Sequence, residues 1–197
     1  ANSAVTAVIP NLTYGQTITL RTANTFTSSS DPNRVRFEIY KLGSQSQPYA
    51  PRVAYLKDVQ TGGTAGGTFT SGAWQTRVLN TIEGDSSIVS LSSNQFTLQP
   101  GTYDIEWGAP AYQVSSHQTR LYDITGAAEE IPGGTSTCGS SDTVTNWSRG
   151  FGRITIASAN TYTIEHRCTS TKATNGQGIN PGWTDEIYAS VKITKIL

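Results

Sequence analysis

Apolar and polar side chains take turns along much of this chain. Tyr103, Ile105 and Trp107 are separated by Asp104 and Glu106. Successive side chains of a β-strand point to opposite faces, so this spacing sends the three large residues into a core and the two carboxylates away from it. The same period of two recurs over 52–58, 75–80, 88–91, 95–98, 102–108, 117–124, 150–156, 161–168 and 186–196, and upstream over 17–21 and 35–41. Clusters of Gly, Pro, Asn, Asp and Ser separate these segments. No window carries apolar residues at helical spacing over three turns. Many short strands joined by turns predict an all-β protein, a two-sheet sandwich or jelly roll.

In the final segment, Ile187, Ala189, Val191 and Ile193 are expected on the core face, with Tyr188, Ser190, Lys192 and Thr194 on the opposite face. Residues 43–51 contain two prolines among small polar residues and read as a turn or linker. They divide residues 1–50, a short N-terminal β arm or small β subdomain, from 51–197, the sandwich. Two or three strands are marginally stable alone. The upstream segment is therefore expected to serve attachment or assembly, pairing across subunits or lying on another protein. Val5, Val8, Ile9 and Leu12 supply its apolar contacts.

Composition narrows the function classes. Charged residues make up 14% of the chain, and Lys+Arg and Asp+Glu both total 14, for a net charge of zero. Such a chain lacks the electrostatic footprint that nucleic acid or an anionic membrane would select. No apolar run approaches the roughly 20 residues that span a bilayer. The first residues show neither the basic nor the apolar region of a signal peptide. A chain made in the cytoplasm that has lost its initiator Met is the preferred reading, with a removed signal peptide as the alternative.

The search for chemistry yields little. His117 and His166 are the only histidines, both fall in expected strands, and no Gly-x-Ser-x-Gly elbow accompanies them. They read as packed or strand-pairing residues. The glycines between 62 and 67 lack the Gly-Lys-Ser/Thr sequence of a phosphate loop. Glu129 and Glu130 read as solvated carboxylates in a loop, and no calcium-loop spacing is present. Two cysteines are too few for a structural zinc site. Cys138 and Cys168 stay open between two free thiols and one disulfide, since both are expected at one end of neighbouring strands. No metal, cofactor or catalytic set is therefore expected. Trp147 and Trp183, in loop-like surroundings with Asn146 and Asp185, are candidates for a ligand loop, against ordinary loop packing.

From about Ala54 onward the chain resembles the C1q/TNF-like jelly-roll domains of bacteriophage virion proteins. The resemblance is carried by Gly62-Gly63-Thr64-Ala65-Gly66-Gly67-Thr68-Phe69 through Trp74-Gln75-Thr76-Arg77, then Leu79-Asn80-Thr81, Ile88-Val89-Ser90-Leu91, Phe96-Thr97-Leu98 and Gly101-Thr102-Tyr103. Ala109-Pro110-Ala111-Tyr112, His117 to Tyr122, Gly152 to Ile156 and Ile164 to Cys168 continue it in order. It covers about three quarters of the chain and leaves residues 1–50 outside.

The resemblance implies a trimeric, non-enzymatic structural protein on the surface of a phage particle, made in the host cytoplasm. Its implied partners are two further copies of itself and the major capsid protein or another virion protein. A capsid cement or decoration protein is the first reading; a tail-fibre tip and a secreted donor-strand filament subunit are the alternatives. In a trimer of this kind the outer face of the inner sheet lines the threefold axis. Asp104 and Glu106 are expected to pair there with Arg153 and Lys192, while Phe151 and Tyr188 supply apolar contact, against the alternative of a solvated sheet face.

Overall fold

The computed structural model describes residues 52–196 apart from 140 and 142. The arm residues Val5, Val8, Ile9 and Leu12 and the expected strands at 17–21 and 35–41 lie outside the described residues.

The described chain forms β1 (Arg52–Gln60), β2 (Gln75–Thr76), β3 (Thr81–Gly84), β4 (Val89–Ser92), β5 (Gln95–Leu98), β6 (Gly101–Tyr112), β7 (Ser115–Asp123), β8 (Ala128–Cys138), β9 (Thr145–Ile156), β10 (Asn160–Cys168) and β11 (Glu186–Lys195). Two antiparallel sheets result. One runs β3-β1-β11-β6-β9; the other runs β4-β5-β10-β7-β8, with β2 also pairing with β10. Strands adjacent in space are mostly distant in sequence, as β1 beside β11 and β5 beside β10 show. This is the antiparallel crossover pattern of a jelly roll, and it fixes the all-β fold class.

Alternation places the core. Tyr103, Ile105, Trp107, Leu56, Val191 and Ile193 come from the five-stranded sheet, and Phe96, Leu98, Leu121, Tyr162 and Ile164 from the six-stranded one; all are buried in a single cluster. Burying each such side chain contributes about 1.5–3 kcal/mol. Midway along β9, ahead of the core residues Ile154 and Ile156, the inward face carries glycine instead of bulk. A Cβ added at Gly150 would lie 2.0 Å from the Trp107 ring. That ring is fixed in turn, because its Nε1–H donates to Thr119 Oγ1 across the sandwich at 2.9 Å. The β4–β5 hairpin turns at Ser93 and Asn94, both at positive φ (52° and 66°), the backbone of a tight two-residue turn that matches strand twist.

Three strand expectations need correction. β3 and β8 lie where no strand was expected, and the segment at 75–80 contracts to the two residues of β2. β8 is an edge strand, exposed at most positions and interrupted by Pro132, Gly133 and Gly134, so it carries no alternating signal. Glu129, read as a loop residue, therefore stands on a strand, 3.5 Å from Arg120.

The expected phase of β11 fails at its start. Asp58 pairs with Ala189 and Val59 with Ile187, so Tyr188 is the extra residue of a β-bulge. Beyond the bulge the faces exchange: Ile187 is exposed and Tyr188 is buried, at 3% exposure. Tyr188 is thus removed from the outer face on which the sequence placed it. Its hydroxyl donates to Thr64 O at 2.6 Å, and burial pushes its pKa up to about 12.

Candidate functional site: the outer face of the five-stranded sheet

Registers build this face row by row. Glu83, Tyr55, Lys192, Glu106 and Phe151 stand side by side on β3, β1, β11, β6 and β9. The next row holds Val53, Thr194, Asp104 and Arg153 on β1, β11, β6 and β9. Every member faces away from the core because its strand neighbours face into it.

Three ion pairs match charges on the face within the chain. Arg153 donates from Nε and Nη2 to the two oxygens of Asp104 at 2.6 and 2.8 Å. Lys192 Nζ reaches Glu106 at 2.7 Å, and Lys57 Nζ reaches Glu83 at 2.6 Å. The Arg153 hydrogen bonds hold the Asp104 carboxyl below its ordinary range, and Glu106 raises the pKa of the Lys192 amine. Exposed pairs of this kind add little stability. Their consequence is three locally cancelled pairs, beside which the exposed Arg149 lies against the Trp147 ring with no carboxylate partner among the described residues.

Apolar surface lies between the pairs. Phe151 is 80% exposed and Tyr55 is 41% exposed. Asp104, Glu106, Phe151 and Arg153 are therefore brought together as the sequence placed them. Tyr55, not Tyr188, is the second aromatic, and sequence reasoning passed it over. The signal was present, since Tyr55 alternates with the core residues Ala54 and Leu56.

The two candidate ligand tryptophans fare differently. Trp147 does not sit in a loop: it is part of β9, half-buried and paired with Pro110, with the Arg149 guanidinium 5.1 Å from its ring centroid. Trp183 does lie in a loop and is 89% exposed. That loop is pinned by Glu186, whose Oε1 accepts from Gly63 N at 3.2 Å and Gly182 N at 2.8 Å.

Both cysteines are free and buried, in a small second cluster with Phe69, Ala111 and Val114. The premise of a disulfide, neighbouring strands, does not hold. β7 lies between β8 and β10, with Cys138 opposite Ser115 and Cys168 opposite His117. Two strand spacings put the backbones roughly 9.5 Å apart, beyond the ~7 Å that a disulfide bridges. Burial pushes the Cys168 thiol up to about 11, which suppresses its thiolate.

His117 and His166 are packed between the sheets at 2% and 0% exposure, and His117 Nδ1 lies 2.9 Å from His166 Nε2. Burial lowers the pKa of His117 to about 4, and burial with the nearby Arg77 charge lowers that of His166 as well. Their outer nitrogens meet no protein partner, so neither activates a hydroxyl among the described residues. No group of three or more His, Cys, Asp or Glu gathers at metal-binding distance among the described residues.

No protein-family model matches the chain. No curated protein matches it either. Solved structures do. The globular domain of the zebrafish complement 1qA protein is 15% identical, covering 75% of this chain and 98% of that one, with a TM-score of 0.48. Murine APRIL at pH 8.5 is 8% identical, covering 75% and 100%, with a TM-score of 0.47. The Eiger TNF of S. frugiperda is 8% identical, covering 75% and 93%, with a TM-score of 0.48. These are likenesses of overall shape at low identity, and they carry nothing about activity or partners. The chain is an all-β, two-sheet jelly-roll protein on the strength of its own strand order.

Proposed function

We propose that this chain is a non-enzymatic structural protein that assembles as a homotrimer through the outer face of its five-stranded sheet and decorates the head of a phage particle. The observation that carries the self-association is Phe151. A phenylalanine that projects 80% exposed from the middle of a 12-residue strand, beside carboxylates already neutralised by Arg153 and Lys192, suits a surface that a second copy covers. Interface centres are rich in aromatics and poor in unmatched charge, because each unmatched charge must be stripped of water. The virion location rests on the sequence resemblance from Ala54 onward. The shell protein is the partner this reading assigns to residues 1–50.

The test separates the two halves of the proposal. A chain lacking residues 1–45 is expected to keep its oligomeric state and to lose co-sedimentation with phage heads. Undiminished co-sedimentation removes the arm from the attachment mechanism, and heads that never bind the full chain remove the decoration role.

A tail-fibre tip is the second reading, and Trp183 favours it. An indole held almost wholly in solvent by a carboxylate-pinned loop is the kind of platform on which a sugar face stacks. Quenching of tryptophan fluorescence by host surface glycans, lost in Trp183→Ala, is its expected signature; no quenching by any glycan discards it.

A further inference from the structure

A polar belt crosses the interior between the two apolar clusters. Arg77, in the segment between β2 and β3, is fully buried, and so is His166; His117 is 2% exposed. Arg77 Nη2 donates to the carbonyls of Gln177, at 3.0 Å, and Tyr188, at 2.9 Å. Its Nε and Nη1 atoms meet no acceptor in the protein, nor do His117 Nε2 and His166 Nδ1 have partners.

The balance of donors and acceptors is lopsided. Arg77 keeps its Nε–H and both Nη1–H bonds without an acceptor, because a guanidinium carries only donors. The two neutral imidazoles share one hydrogen bond, so whichever tautomers they adopt, one outer nitrogen of the pair bears a proton and the other is bare. Asp58, on β1, is 3% exposed and attracts Arg77 only through space, while its Oδ1 accepts from Gln60 at 2.6 Å. Its own pKa is raised by burial, which weakens it as a counter-charge. The remaining titratable neighbours offer no better match. Glu186 on β11 is committed to Gly63 and Gly182, the Tyr188 hydroxyl to Thr64, and Cys168 is a protonated thiol. A buried cation with spare donors, beside a histidine pair able to accept a proton, selects a compact acceptor that carries negative charge.

We propose that Arg77, His117 and His166 form an internal binding site for one small monovalent inorganic anion of the chloride or bromide class. Water, itself a donor as well as an acceptor, would leave the Arg77 charge without a close counter-ion. Binding to the folded state alone raises stability with the logarithm of anion concentration once the site is filling.

The test uses bromide and the full chain. Tm is measured at constant ionic strength as sodium gluconate is replaced by sodium bromide, near pH 7.5 and near pH 5.5. Tm is expected to rise with bromide at both, because the Arg77 charge is present at either pH and both histidines stay neutral above about pH 4. The rise is expected to weaken several-fold in His166→Gln. Should that variant not fold, crystals of the unaltered protein grown in bromide decide: an anomalous bromine peak beside Arg77 is expected. A Tm indifferent to the exchange of gluconate for bromide, or a crystal with no anomalous signal at Arg77, overturns the proposal.

Discussion

Arg153 and Asp104 face each other across the β6–β9 pair, joined by two hydrogen bonds of 2.6 and 2.8 Å. Both side chains are open to solvent in the single subunit, at 60% and 38% exposure. Fork-to-carboxylate geometry fixes orientation, yet salt and water dilute its contribution to folding. Its effect is expected in assembly. Arg153→Gln leaves Asp104 unmatched on a surface that must lose water, so self-association should weaken while Tm stays within replicate scatter. Adding Asp104→Asn to that variant should recover part of the loss. Sedimentation at several protein concentrations measures both; a double variant no better than the single one contradicts the argument.

Gly150 controls how closely β9 approaches the core. A methyl group there meets the Trp107 ring at 2.0 Å, and the ring cannot retreat without giving up its bond to Thr119. Overpacking a dense core costs about 1–3 kcal/mol. Gly150→Ala should lower stability by at least that amount, read as a fall in the denaturant midpoint at unchanged m-value. Gly150→Val should be worse still, and an unaltered midpoint in both would mean that β9 shifts freely.

Acid should loosen the interior. Burial holds both histidines below their ordinary pKa, His117 at about 4. Unfolded histidines titrate near 6.5, so between about pH 6.5 and 4 the unfolded chain binds more protons and stability falls as pH falls. For His117 alone the loss amounts to about 3 kcal/mol across that window. Replacing both rings, His117→Asn with His166→Gln, should flatten the dependence there. Urea unfolding at a series of pH values reads it directly; a variant as acid-sensitive as the parent places the effect elsewhere.

The two thiols should stay separate. Native protein is expected to react slowly with a thiol reagent and to show both cysteines, Cys138 and Cys168, as free groups once unfolded under non-reducing conditions. A single linked pair recovered by mass spectrometry would require β7 to have moved from between them.

Alternation made the outer face legible before any coordinates. The placements of Asp104, Glu106, Phe151 and Arg153 follow from counting by twos along β6 and β9, whose registers contain no shift. Tyr188 defeats the same count, because a single bulged residue inverts every side chain on one side of it. β8 was hidden for a different reason: an edge strand with residues such as Ala128, Glu129, Gly134 and Ser136 does not bury a face, so it writes no apolar stripe. The choice the sequence left open at Cys138 and Cys168, free thiols or a disulfide, turns on topology. Sequence order makes strands β8, β9 and β10 consecutive, while hydrogen bonding sends β9 to the other sheet and sets β7 between β8 and β10. Arg77, which no alternation announced, is visible only once Gln177 and Tyr188 are brought over it.

The mass of the protein in solution bears most directly on the account. Light scattering coupled to size exclusion should return three times the 21.1 kDa of one chain, and Phe151→Asp, at a position already 80% in water, should return a folded single chain. An unaltered protein that remains one 21.1 kDa chain at every concentration tested, or a Phe151→Asp variant that associates as before, would contradict it.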